Sequence, residues 1–62
     1  MQYTVKFIDD GVVYSCSISR IKSNTQIDIG VIVNARYTDG RWNEAIVLDI
    51  KGKIFQPVNV IQ

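Results

Sequence analysis

Catalysis needs groups that can attack, move a proton or hold a metal, and this chain carries few of them. Its one thiol, Cys16, has no histidine anywhere in the sequence to lower its pKa. It shares an apolar parity with Tyr14 and Ile18, which fits an inert core thiol better than a nucleophile. One cysteine and no histidine also supply too few nitrogen and sulfur ligands for a structural zinc. The carboxylates Asp9, Asp10, Asp39, Glu44 and Asp49 lack a partner for general acid–base work. Asp9, Asp10 and Asp39 fall in turn sequences, where aspartate is favoured for backbone reasons. The four glycines are dispersed and form no phosphate-binding loop. No catalytic residue, metal site or cofactor is expected.

Recognition is the chemistry that is left. Trp42 directly follows a turn, where an amphipathic ring can anchor a partner or cap the open end of a barrel. Tyr14 lies on the apolar parity of its stretch and fits core packing with its hydroxyl at the rim. The cations Arg20, Lys22, Arg36, Arg41, Lys51 and Lys53 are scattered. Seven basic residues against six acidic ones leave a net charge of only +1. That balance argues against a DNA-backbone binder and against a membrane-surface role. No apolar run approaches the roughly 20 residues that span a bilayer, and the chain does not open on a secretory signal pattern. An unpaired cysteine suits a reducing interior, so an intracellular location is expected.

The elements that position these residues read as strands and turns. Tyr3, Val5 and Phe7 alternate with Gln2, Thr4 and Lys6, and Asp9-Asp10-Gly11 follows as a turn. Val12, Tyr14, Cys16 and Ile18 alternate with Val13, Ser15, Ser17 and Ser19. Ser19 to Lys22 breaks the alternation as a short turn of 3₁₀ helix, and Ser23 to Gln26 is an exposed loop. Val31, Val33, Ala35 and Tyr37 form a third apolar set. Thr38-Asp39-Gly40-Arg41 is the clearest turn in the chain. Ala45 to Ile50 is apolar on both parities except at Asp49, as in a strand covered on both sides or one bending round a barrel. After a Lys51-Gly52-Lys53 turn, Ile54 to Ile61 reads as a last strand, with Pro57 at an edge or bulge.

A chain of 62 residues forms one domain, residues 1–62, with a thin core. Its hydrophobic share of 47% is too high for a disordered chain. About five short strands with glycine-containing turns predict an all-β fold, a small barrel of the SH3-like kind. A helix over Ile27 to Ala35 is disfavoured by Gly30 and by the Val31-Ile32-Val33 run.

The segment from Ala35 through Tyr37, Asp39-Gly40, Trp42 and Ala45 to Val47 resembles the first hairpin of a Tudor domain. The segment from Tyr3 through Gly11 to Ile21 resembles the second half of the same domain. Their order is reversed, so the resemblance is to a permuted Tudor-like barrel covering about two thirds of the chain. The last strand has no slot in that arrangement; it would pair with the strand ending at Ile50, add an edge, or exchange with another copy. A second resemblance, carried by Tyr3, Val5, Phe7, Asp9-Asp10, Tyr14 and Ser19-Arg20-Ile21, is to N-terminal modules of animal BEN-domain proteins, which act in chromatin and transcription. It implies a nuclear accessory module with Met1 as its start.

Tudor-like modules hold methylated lysine or arginine in an aromatic cage. The resemblance carries four cage positions onto Phe7, Tyr37, Asn43 and Asp10, of which two are aromatic. It implies a peptide partner such as a histone tail or another methylated basic peptide. Plain packing is the favoured role for Phe7 in the core and for Tyr37 as a strand-end aromatic against it, because aromatics in a small domain are mostly spent on burial. The expected binding residues are Phe7, Asp10, Tyr37, Trp42 and Asn43 of a protein-interaction module. Homodimerisation and weak nucleic-acid binding are the alternatives.

Overall fold

A computed structural model describes residues 1–52 of the chain. They form five strands: β1 (Gln2–Phe7), β2 (Val13–Ser17), β3 (Ile21–Lys22), β4 (Ile32–Arg36) and β5 (Trp42–Lys51). A single 3₁₀ turn, η1 (Ile18–Arg20), links β2 to β3. All the pairings are antiparallel, in one sheet of order β2-β1-β5-β4-β3. The all-β expectation holds. Among the described residues no helix is long and apolar enough to cross a membrane. The expected strand over Ile54 to Ile61 lies outside the described residues.

The connection through η1 forces the sheet to curl. A flat sheet of five strands would hold its edges roughly 19 Å apart. The step from Ser17 to Ile21 spans at most about 14 Å fully extended, and about 8 Å in 3₁₀ geometry. The two edge strands are therefore drawn together, and the sheet wraps into a barrel-like form around its own inner face.

Strand alternation chooses that inner face. Tyr3, Val5 and Phe7 on β1, Cys16 on β2, Ile21 on β3, Val33 and Ala35 on β4, and Ala45 and Val47 on β5 are all buried. Tyr14, Ile27, Val31, Tyr37 and Ile50 pack against them. The mixed parity of β5 has a local cause. Thr4 pairs with Asp49 but Val5 pairs with Val47, so Leu48 is bulged out of register. The bulge shifts the alternation by one residue, and Ile50, rather than Asp49, joins the core side.

The 3₁₀ turn starts at Ile18, one residue earlier than the sequence reading, and Ile21 and Lys22 belong to β3. Ile18 accordingly leaves the face it would share with Cys16 and is half exposed.

Candidate functional site

Two turns bring the site together at one end of the sheet. After β1, the Gly11 N–H donates to the Phe7 carbonyl at 2.9 Å, and Gly11 sits at φ 73°, a conformation glycine adopts without cost. Between β4 and β5, the Gly40 N–H donates to the Tyr37 carbonyl at 2.9 Å, and the Tyr37 N–H donates to the Arg41 carbonyl at 2.8 Å. The side chain of Asp39 closes this turn by accepting the Arg41 N–H at 2.9 Å. Because β1 pairs with β5 and β5 with β4, the two turns are neighbours in space although they lie far apart in the chain.

Between them is a cleft of about 120 Å³ lined by Phe7, Asp9, Asp10, Tyr37, Asp39 and Asn43. That is the scale of a single side-chain head group and well below a drug-sized pocket. Its wall is aromatic. The Phe7 and Tyr37 rings meet edge to face, with centroids 4.8 Å apart at 80°, and the Tyr14 ring lies 6.4 Å from Phe7, tilted by 60°. Phe7 is only 2% exposed, so it is a core residue that shows the cleft little of its surface, whereas Tyr37 is half-buried.

The rim is acidic. The Tyr37 hydroxyl donates to Asp10 Oδ2 at 2.8 Å, and the Val12 N–H donates to Asp10 Oδ1 at 3.0 Å. These bonds, the Val12 one foremost, hold the Asp10 carboxyl below its ordinary value, because both stabilise the ionised form. The same bond from Tyr37 to Asp10 pushes the Tyr37 phenol up, with burial and nearby carboxylate charge adding to it. Asp10 is thus a fixed anion that also orients the Tyr37 ring. Among the described residues no group of three His, Cys, Asp or Glu is placed to hold a metal ion, so the carboxylates present a diffuse negative field.

Four of the five expected binding residues, Phe7, Asp10, Tyr37 and Asn43, line this one cleft. Trp42 does not. It precedes Asn43 on β5 and so projects to the opposite face of the sheet, where Lys22 and Arg36 lie over its ring. Asp9 and Asp39 line the cleft as well, and the sequence reading had them only as turn formers. The signal for them was present, since both sit in the turns that frame Phe7 and Tyr37. Cys16 is buried in the core, and burial pushes its thiol up, away from nucleophilic reactivity.

No protein-family model matches the chain, and neither the curated proteins nor the solved structures hold a match to it.

Proposed function

We propose that this domain is a non-catalytic protein-interaction module that takes a cationic side chain of a peptide into the cleft between the two turns, beside Tyr37. The observation that carries the reading is the pairing of an aromatic wall with the carboxylates of Asp9, Asp10 and Asp39 around a space sized for one head group. A cation there gains attraction to the half-buried Tyr37 ring and to the carboxylates together. Asp10 is already ionised and held in place, so it loses little freedom on binding. Methylated lysine or arginine fits best, because methylation lowers the cost of desolvating the charge.

A permuted Tudor-like barrel is the architecture we assign. It is supported by the joining of the two chain segments through β1 and β5, and by the return of β3 to β4. It is supported further by the convergence of all four carried-over cage positions on one cleft. With the likeness of the first residues to BEN-protein modules, this favours a chromatin or transcription setting in the nucleus.

The test is an NMR titration of the ¹⁵N-labelled protein with unmodified and methylated basic peptides. Shifts centred on Asp10, Tyr37 and Asn43 are expected, lost in Tyr37→Ala and retained in Trp42→Ala. No shift at millimolar peptide, or a response unchanged by Tyr37→Ala, would sink the reading.

Self-association is a second reading with its own support. Among the described residues β2 pairs on one side only, and Val13 and Ile18 beside its open edge are exposed. Strand addition there by another copy would satisfy that edge, and a sizing measurement across concentration decides it.

A further inference from the structure

Trp42 marks a second surface, on the face of the sheet opposite the cleft residue Asn43. Arg36 and Trp42 are direct cross-strand partners on β4 and β5. Alternation turns both side chains outward, since Ala35 and Ala45 point into the core. Lys22 pairs with Asn34, so its backbone is two strands away from Trp42. Its side chain nevertheless places Nζ 4.5 Å from the Trp42 ring centroid, and the Arg36 guanidinium carbon lies 5.3 Å from it. The lysine stem therefore runs across β4 with its charged head at the indole.

Neither cation is neutralised among the described residues. The one ion pair there joins Arg41 to Asp39 at 4.0 Å, in the turn. Glu44 shares the outward face of β5 but pairs with neither Lys22 nor Arg36. Two cations are thus gathered around one indole with no anion, and the ring fixes where they stand. Trp42 is half-buried, and its indole N–H donates no hydrogen bond among the described residues.

We propose that Lys22, Arg36 and Trp42 form a second docking surface that takes an acidic, extended segment of a partner protein. Charge complementarity selects an anion, and the guanidinium of Arg36 can take a carboxylate through two parallel bonds. Alternate side chains of an extended segment stand roughly 7 Å apart on one side, so two carboxylates of such a segment can face this surface together. Ordering of the long side chains is incurred in the free protein, which lowers the entropic cost of binding. A polypeptide is favoured over single-stranded nucleic acid. The indole is already engaged by two cations, so a base stacking there would compete with them.

The experiment titrates the full chain with an acetylated Glu-Ser-Glu-Ser-Glu peptide and, separately, with oligothymidylate, following the Trp42 indole N–H by NMR. The peptide is expected to move that signal. Its affinity should drop as salt rises past roughly 0.1 M, where the Debye length falls to about 10 Å. The Lys22→Gln/Arg36→Gln variant should bind about tenfold more weakly, with unchanged signal dispersion because both residues are exposed. Lys51→Gln, at the far end of β5, should bind as the parent does. An absent response, one that persists in the double variant, or tighter binding of oligothymidylate at Trp42 would each overturn the proposal.

Discussion

Phe7 joins the core to the cleft, and truncating it separates its two roles. The ring is 2% exposed and packs against Tyr37 at 4.8 Å and Tyr14 at 6.4 Å. Phe7→Ala removes a buried ring at a cost of about 3–5 kcal/mol. A chain of 62 residues has a total stability of about 3–9 kcal/mol. The alanine variant therefore loses at least about a third of that stability, and at the low end of the range it is unfolded. Phe7→Leu keeps most of the buried volume and loses the edge-to-face contact, a cost of about 1–2 kcal/mol. With a urea m-value near 1 kcal/mol/M, that lowers the unfolding midpoint by about 1–2 M. Circular dichroism follows the fold, and Trp42 fluorescence offers an independent probe of the same transition. Folded Phe7→Leu should then bind the methylated peptide more weakly, because the ring that Tyr37 packs against edge to face is gone. If Phe7→Ala unfolds within about 1 kcal/mol of the parent, Phe7 does not anchor the core and the reasoning fails.

Gly40 sits at φ 86°, and a Cβ there would meet only the Arg36 guanidinium, at an ordinary contact distance of 4.0 Å, so Gly40→Ala should cost about 1–2 kcal/mol from backbone strain, read as a lowered urea midpoint. An unchanged or raised midpoint, as Gly→Ala gives where the backbone is unstrained, would contradict that turn geometry. Asp10 is expected to titrate below 3.8, and Tyr37→Phe should move its midpoint up; carboxyl-carbon NMR measures both. The sign follows from linkage. Ionised Asp10 favours the native state at and above 3.8, and that contribution is lost as pH falls through the lowered folded value. Tyr37 runs the other way: its contribution is present below 10.0 and is lost as pH rises through the raised folded value, and Asp10→Asn should bring that midpoint down. An Asp10 midpoint unmoved by Tyr37→Phe would mean the hydrogen bond between them does not form in solution.

The parts of the fold legible in the sequence were those set by local pattern. Tyr3, Val5 and Phe7 face inward as their spacing predicts, and so do Val33 and Ala35. The Asp-Gly turn at Asp39-Gly40 lies between β4 and β5 as expected. What was hidden depends on register between distant strands. The bulge at Leu48 is set by how β5 meets β1, and no pattern within β5 announces it. Trp42 counts among the expected binding residues because it directly follows the Asp39-Gly40 turn, next to Asn43. In a strand, adjacency in sequence means opposite faces, and only the pairing of β5 with β4 shows that its neighbours are Arg36 and Lys22. The bond from Tyr37 to Asp10 links residues on separate hairpins and has no sequence signature.

The order of the strands also bears on how the chain reaches this state. β1 with β2 and β4 with β5 are hairpins whose pairs lie close in sequence. The seam between them joins Gln2 to Lys51, nearly the whole described chain apart, and Phe7 to Ala45, 38 positions apart. Closing that span has an entropic cost that grows with its length, and it falls due before any seam contact forms. We therefore expect the rate-limiting step to be the docking of two preformed hairpins along β1 and β5, on the millisecond-to-second scale of non-local β folds. Val47→Ala, in the seam, should then slow refolding in stopped-flow measurements. Ile21→Ala, on the outermost strand, should mainly speed unfolding. The opposite partition would place the barrier at closure through η1. Until the seam forms, the backbone edges of β1 and β5 are both bare, so the middle of the finished sheet is where the folding chain is most exposed to a wrong partner.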